Sequence, residues 1–284
     1  MTQATEARPL TDQLRDAANR GELTLPPLPQ VATKILEAFD ESSRSTSQGV
    51  AELIRHEPAI AASVLRMANS AAFGGLSAIT DLQQAIARLG MSQVAALVTA
   101  MLHKGHFESE DASRKKLLQD LWDHAVATAM AARCLAATGA ADSEEAFLAG
   151  LLHDVGKLAV LLGIDQIANG EPSRVITPPV RSELMAALHT ELGHKVLVDW
   201  RLPESVCLVA LRHHEESPEE DESLVVRVQA ANAIARKIAA HPEPGEECRL
   251  EELPAVERQN LGEVELAALL VDLEDEFEEV HKLL

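Results

Sequence analysis

Tyrosine is absent from this 284-residue chain, and all aromatics together make up only 2% of it. A chain so poor in aromatic rings lacks the stacking platforms that hold single-stranded nucleic acid. A surplus of positive charge is missing too: the formal net charge is −20, which argues against a phosphate-binding basic face and so against nucleic acid as a partner. No apolar run approaches 18 residues, so no membrane-spanning helix and no membrane partner are expected. The first ten residues lack the apolar centre of a signal peptide. Cysteine is scarce: Cys134, Cys207 and Cys248 lie far apart and form no metal-type pair. Their odd number suggests small buried hydrophobes in a reducing, cytoplasmic setting. Alternating strand patterns are also missing, and no repeat of 20–50 residues is evident.

What remains is helical. With 46% hydrophobic residues, the chain can bury one large core or two moderate ones. The expected class is all-α, a two-lobed multi-helix bundle. Residues 1–24 read as a polar leader with a short helix from Leu10 to Asn19. Residues 25–108 read as an N-terminal helical lobe, opened by Leu25-Pro-Pro-Leu-Pro29. Helical spacing follows at Val31, Ile35, Leu36 and Phe39, then at Val50, Leu53 and Ile54, the latter capped by Ser47. Pro58 opens a helix bearing Ile60, Val64, Leu65 and Met67. Thr80 or Asp81 caps one running to Gly90, and Ser92 caps another through Val94 and Met101.

Residues 108–116 are charged and small, and read as a hinge. The second lobe, 109–241, has a helix over Leu117–Ala137 and an apolar stretch over 144–162. A loop is expected over 163–180, where three prolines fall. A helix pair or bent helix then spans Glu183–Trp200, another runs from Pro203 to His213, and an amphipathic one covers Leu224–Ala240. Glu215–Glu222 holds six acids in eight residues, a solvated loop. Residues 242–284 form an acidic extension. Its last helix, about Glu263 to Leu283, carries Val264, Leu266, Leu269, Leu270, Leu273, Phe277 and Val280 as a stripe that suits packing, a partner groove or a homodimer seam.

The chemistry concentrates in the second lobe. An apolar run ends in adjacent His153 and Asp154, a mixed N/O donor pair that suits a divalent metal. Adjacent helical residues diverge by about 100°, so both serve one ion only where the helix is broken. Gly156 is expected to permit that break. His124, His189 and the pair His213-His214 each sit on or at the end of another expected helix. A lone histidine on an apolar face is usually a core residue; four helices each supplying one point to a ligand cluster.

The set His124, His153-Asp154, His189 and His213-His214 resembles the ligand ladder of HD-superfamily phosphohydrolases. That resemblance implies a divalent metal, with iron, zinc, manganese or nickel all chemically acceptable to such donors. It places Asp120, one turn before His124, where a bridging acid occurs, and Lys157 where a lysine meets substrate phosphate. The first-lobe motifs Leu25-Pro-Pro-Leu-Pro29, Glu57-Pro58, Ala68-Asn-Ser-Ala71 and Ala85-Ile86 with Leu89-Gly90 are similar to those of the HD-related output domain, HDOD. So are Ala146 to Asp154, His189-x-x-x-Gly193 and Trp200-Arg-Leu-Pro203. The likeness covers about residues 20–240. It implies a regulatory role in bacterial signalling with a signalling-protein partner.

Two departures bear on activity. Active hydrolases of the superfamily close the site with a late aspartate, where this chain has Asn232, a neutral carbonyl donor. Cyclic-di-GMP-hydrolysing relatives carry a glycine-tyrosine-proline loop after the histidine pair, where this chain is strongly acidic and would repel a dianionic nucleotide. The expected function is a signalling adaptor acting through protein–protein contact around a degenerate metal site. The alternative is a metal-dependent phosphohydrolase acting on a nucleotide or phosphoester.

Overall fold

A computed structural model describes residues 8–23, 50–51, 54–55, 58–69, 79–90, 94, 112–137, 143–170, 175–215, 223–239 and 249–283. Every regular element among them is helical, and no strand occurs among the described residues. In chain order these are α1 (Leu10–Asn19), α2 (Pro58–Ala68), α3 (Leu82–Leu89), α4 (Ala112–Ala137), α5 (Ser143–Leu152), α6 (Val155–Gly170), α7 (Pro178–Asp199), α8 (Glu204–Arg212), α9 (Ser223–Ile238), α10 (Pro254–Glu257) and α11 (Glu263–Leu283). The all-α expectation holds. The helix expected over residues 29–39, the Ser47 and Ser92 caps and the acidic 216–222 segment lie outside the described residues.

By contact, the described residues group into two compact units. One joins those of 1–27 to those of 152–225; the other joins those of 28–151 to those of 226–284. The grouping is interleaved along the chain, so it does not coincide with the sequential boundaries at 24, 108 and 241.

In the first unit α7 packs along α6 and against α8, and α1 lies on both α6 and α7. The leader is thus built into the core here: Leu14 and Ala18 are buried. The Arg15 guanidinium bonds Glu191 on α7 at 2.8 Å. That pair is half-exposed, so the buried leucine carries more of the attachment than the ion pair does. Helix α6 continues to Gly170, so the loop expected from residue 163 begins later. The prolines behind that expectation, at 172, 178 and 179, all come after the end of α6. Helix α7 is one continuous helix that starts five residues before the expected Glu183, because Pro178 and Pro179 occupy its first turn, where no backbone donor is needed.

In the second unit α2 packs on α3, and α11 packs on α4 and α2. Asp81 caps α3 by accepting from the Gln84 amide at 3.0 Å, and Gly90 ends it with a φ of 85°. Helix α4 begins at Ala112, so residues 112–116, read above as part of a hinge, are its first turn. The acidic helix α11 turns Leu266 and Leu273 inward, and Phe277 lies against Ala127, Ala235 and Ala239. Arg133 of α4 meets Glu276 of α11 at 2.5 Å. Val264 and Val271 face solvent.

One expectation is corrected. The stretch Glu145–Asn169 is long and apolar enough to cross a membrane by length and composition. Counting only unbroken apolar runs missed it, because Asp154 and Lys157 interrupt the run. Its apolar window is 83% buried inside the fold, the pattern of a core segment, and a turn at His153-Asp154 divides it into α5 and α6.

Candidate metal centre

The centre is built where α5 stops and α6 starts. His153 and Asp154 form the turn between the two helices, which is the break that two adjacent donors require. The Asp154 carbonyl accepts from the Lys157 amide at 2.9 Å, so Asp154 stands at the α6 N-terminus, where the helix dipole favours its negative charge. Gly156 has a different task from the one expected. It lies inside α6 without a positive φ, and a Cβ there would sit 1.8 Å from the His189 carbonyl oxygen and 2.6 Å from the Gly193 amide nitrogen. Glycine is required because two backbones meet: it lets α6 lie directly on α7, which carries His189.

Four donors from three elements converge in this unit. Asp154, His189, His213 and His214 each offer one ligand atom, and these atoms all lie within 4.8 Å of one another. Asp154 is the hub. Its Oδ1 is 3.5 Å from His189 Nε2 and 3.4 Å from His213 Nε2, and its Oδ2 is 3.3 Å from His153 Nε2. His214 Nε2 is 3.1 Å from His189 Nε2. The rings of His153 and His213 meet edge to face at 5.0 Å.

The outer nitrogens set the inner ones. His189 Nδ1 lies 2.8 Å from the Met185 carbonyl, and His213 Nδ1 lies 3.1 Å from the carbonyls of Val209 and Ala210. A carbonyl only accepts, so each Nδ1 carries the proton and each Nε2 presents a lone pair inward. Burial keeps these rings neutral: the pKa of His189 is lowered to about 4 and that of His213 is also lowered. His214 has an exposed face, but its ring end lies among the other histidines. Burial of that end and the neighbouring rings lower its pKa to about 3. Burial pushes Asp154 upward, yet the Lys157 ammonium, then His153 and His213, hold it well below the usual carboxylate range.

This donor set fits a divalent metal. Lone pairs on neutral imidazoles aimed at a carboxylate oxygen repel unless a cation or proton stands among them. His213 Nε2, buried and facing Asp154 Oδ1 in this way, makes no hydrogen bond among the described residues. Donors each about 2.1 Å from one ion would stand roughly 3.0–3.4 Å apart. The separations of 3.1, 3.4 and 3.5 Å are close to that. Mixed imidazole and carboxylate donors suit iron, manganese, zinc or nickel.

Lys157 is neither solvent-facing nor open. It is buried, and its ammonium bonds Asp154 Oδ2 at 2.8 Å. That pair was not foreseen, although a lysine three residues after an acid at a helix start carries the signal. His124, Asp120 and Asn232 belong to the second unit. His124 is fully buried on α4, and its carbonyl accepts from the Thr128 hydroxyl at 2.8 Å. Asp120 bonds Lys116, one turn earlier, at 2.9 and 3.0 Å. Asn232 is buried on α9, and its Oδ1 makes no hydrogen bond among the described residues.

Comparison with known proteins agrees with this architecture. A relative from Treponema pallidum (strain Nichols), itself uncharacterised, is 30% identical over 224 residues, 74% of this chain; the match spans 42% of that relative's length. A proposed metal-dependent phosphohydrolase from Shewanella amazonensis SB2B has a similar fold, with a TM-score of 0.76, 22% identity, and coverage of 96% of this chain and 97% of that one. An HDOD domain protein of unknown function from Geobacter sulfurreducens superposes with a TM-score of 0.68 at 21% identity, covering 96% of each chain. A proposed signal transduction protein from Marinobacter aquaeolei VT8 does so with 0.67 at 19% identity, over 95% of this chain and 64% of that one. The HDOD domain model matches residues 25–216, and the chain belongs to the HDOD family.

Proposed function

We propose that this protein is a cytoplasmic signal-transduction output protein. It acts through contact with a signalling partner, and a divalent metal held by Asp154, His189, His213 and His214 orders its core. The observation that carries this reading is the buried Lys157–Asp154 ion pair at 2.8 Å. Asp154 supplies the carboxylate of this donor set, and an ammonium already neutralises it. With its ammonium buried and engaged by Asp154, Lys157 is not presented to a substrate phosphate, which favours an ordering role for the centre over turnover. Asn232 in place of a carboxylate points the same way. Cys134 and Cys207, both unbridged, accord with a reducing compartment. The solvent-facing side of α11, with Val264 and Val271 among acids, is the surface offered to a partner or to a second copy.

A bound metal would supply Lewis acidity toward an oxygen ligand. The chain's own residues do the rest. Met185, Val209 and Ala210 hold the imidazole tautomers through their carbonyls, Gly156 keeps α6 against α7, and Lys157 balances Asp154.

The phosphohydrolase reading rests on His214, the one exposed residue among the four donors. Protein loaded with manganese or iron and assayed on a panel of nucleotides and phosphoesters separates the two. The adaptor reading expects bound metal and no turnover above the level of His213→Ala. Turnover abolished by that substitution would reverse the choice.

A further inference from the structure

Helix α11 is apolar on two sides, and the fold uses one of them. Leu266, Leu273 and Phe277 face the second unit, where α11 packs on α4 and α2. Val264, Ala267, Ala268 and Val271 lie on the opposite side, at the i, i+3, i+4, i+7 spacing of a seam between helices. All four are exposed, Val264 by 82% and Val271 by 58%. A single exposed valine is ordinary. An unbroken apolar seam along an outer helix is not, because charged side chains suit such positions better in water.

The charge around the seam says what covers it. At about 100° per residue, Glu263 and Glu274 border it on one side, and Glu265 and Asp272 on the other. Asp275 continues its line toward the C-terminus, and all five acids are exposed. Glu263, Asp272, Glu274 and Asp275 make no ion pair among the described residues. Over Glu263–Leu283 the helix holds eight acids and one lysine, so a second copy would set acid against acid across the seam. Phosphate-bearing surfaces, lipid or nucleic acid, are repelled in the same way. A helix with Lys or Arg on both sides of its own apolar stripe matches both features: the stripe covers the seam, and the cations meet the acidic borders.

We propose that the outer face of α11 is the docking site for a basic amphipathic helix of a partner protein. This rests on the output-protein reading above and deepens it by giving the partner's chemistry. Burial of the seam from Val264 to Val271 supplies the affinity, and the acidic borders fix orientation and speed encounter.

Fluorescence anisotropy of the full chain with a panel of designed, dye-labelled peptides tests this. The peptides are about 18 residues long, enough for an isolated helix to form, with leucines at the seam spacing and Lys or Arg at the bordering positions. Saturable binding that weakens as salt rises is expected. Scrambled peptides, which keep the charge and lose the stripe, are expected to bind roughly tenfold more weakly or worse, the worth of burying one valine. Val264→Asp combined with Val271→Asp is the decisive variant, because it adds negative charge while removing the seam, at solvent-facing positions. The proposal expects the same loss of binding, whereas attraction of charge alone would leave binding equal or tighter. Equal binding by parent and variant, or by ordered and scrambled peptides, would overturn it. So would binding of no peptide in the panel, or a sedimenting dimer of the parent that the double substitution dissolves, since a second copy would then cover the face. The output-protein reading stands after each of these results and is reversed only by turnover that His213→Ala abolishes.

Discussion

Replacing Gly156 by alanine is the sharpest test of how the centre is assembled. The added methyl would stand 1.8 Å from the His189 carbonyl oxygen and 2.6 Å from the Gly193 amide nitrogen. Both obstacles are backbone atoms of α7, so no rotamer change relieves them, and α6 must move away by more than an ångström. Overpacking of this kind costs roughly 1–3 kcal/mol, and a backbone clash belongs at the upper end. Alanine returns about 1 kcal/mol of helix propensity. The net expectation is a loss of about 2 kcal/mol. Gly163→Ala in the same helix is the control: its new methyl meets the ends of Leu14 and Leu23 at 2.7 and 3.0 Å, which are flexible side chains. It gains the same propensity at a smaller steric cost and is expected to fall within about 1 kcal/mol of the parent. Urea unfolding followed by tryptophan fluorescence, from Trp122 and Trp200 together, measures both. Gly156→Ala as stable as the parent, or Gly163→Ala as damaging as Gly156→Ala, would refute the close-approach argument.

Three further outcomes are expected. Asp154→Ala strips the partner from a buried ammonium, and loss of one member of such a pair costs about 3–5 kcal/mol; Asp154→Leu combined with Lys157→Met should recover a large part of it in the same urea assay. In metal-free protein, His189 has a folded pKa of about 4 against 6.5 unfolded, so the unfolded chain binds the extra proton first. Its contribution is full above pH 6.5 and is lost as pH falls from 6.5 to about 4; stability curves across that window should slope downward toward acid, and less steeply for His189→Gln. Leu273→Ala, at a buried position on α11, should cost about 2–4 kcal/mol in the same urea assay, whereas Val271→Ala on the exposed side should be near neutral.

Much of this was legible in the sequence because the signals are local. The spans of α1, α2 and α11 follow from apolar spacing at Leu14, Ile60, Val64 and Leu273 together with flanking breakers. His153, Asp154, His189, His213 and His214 stand out because separate expected helices each supply a histidine, although any one of them alone would read as a core residue. Other features depend on which backbones meet, and no spacing rule reports that. Gly156 read as a helix breaker, yet its role is fixed by the His189 carbonyl 33 positions away. Lys157 read as a phosphate contact or a surface residue, because whether it reaches Asp154 depends on how far α6 is buried. The loop expected over residues 163–180 is too wide for a different reason: its prolines lie at 172, 178 and 179, so α6 runs unbroken to Gly170, and the last two prolines open α7 instead of a loop.

The central claim is that Asp154, His189, His213 and His214 hold one metal ion. Elemental analysis of freshly purified protein beside its His213→Ala variant tests it most directly, with circular dichroism confirming that the variant is folded. The account predicts about one equivalent of a divalent transition metal per chain in the parent and a loss of most of it in the variant. A parent free of metal after growth in supplemented medium, or a folded variant that retains the full complement, would contradict it.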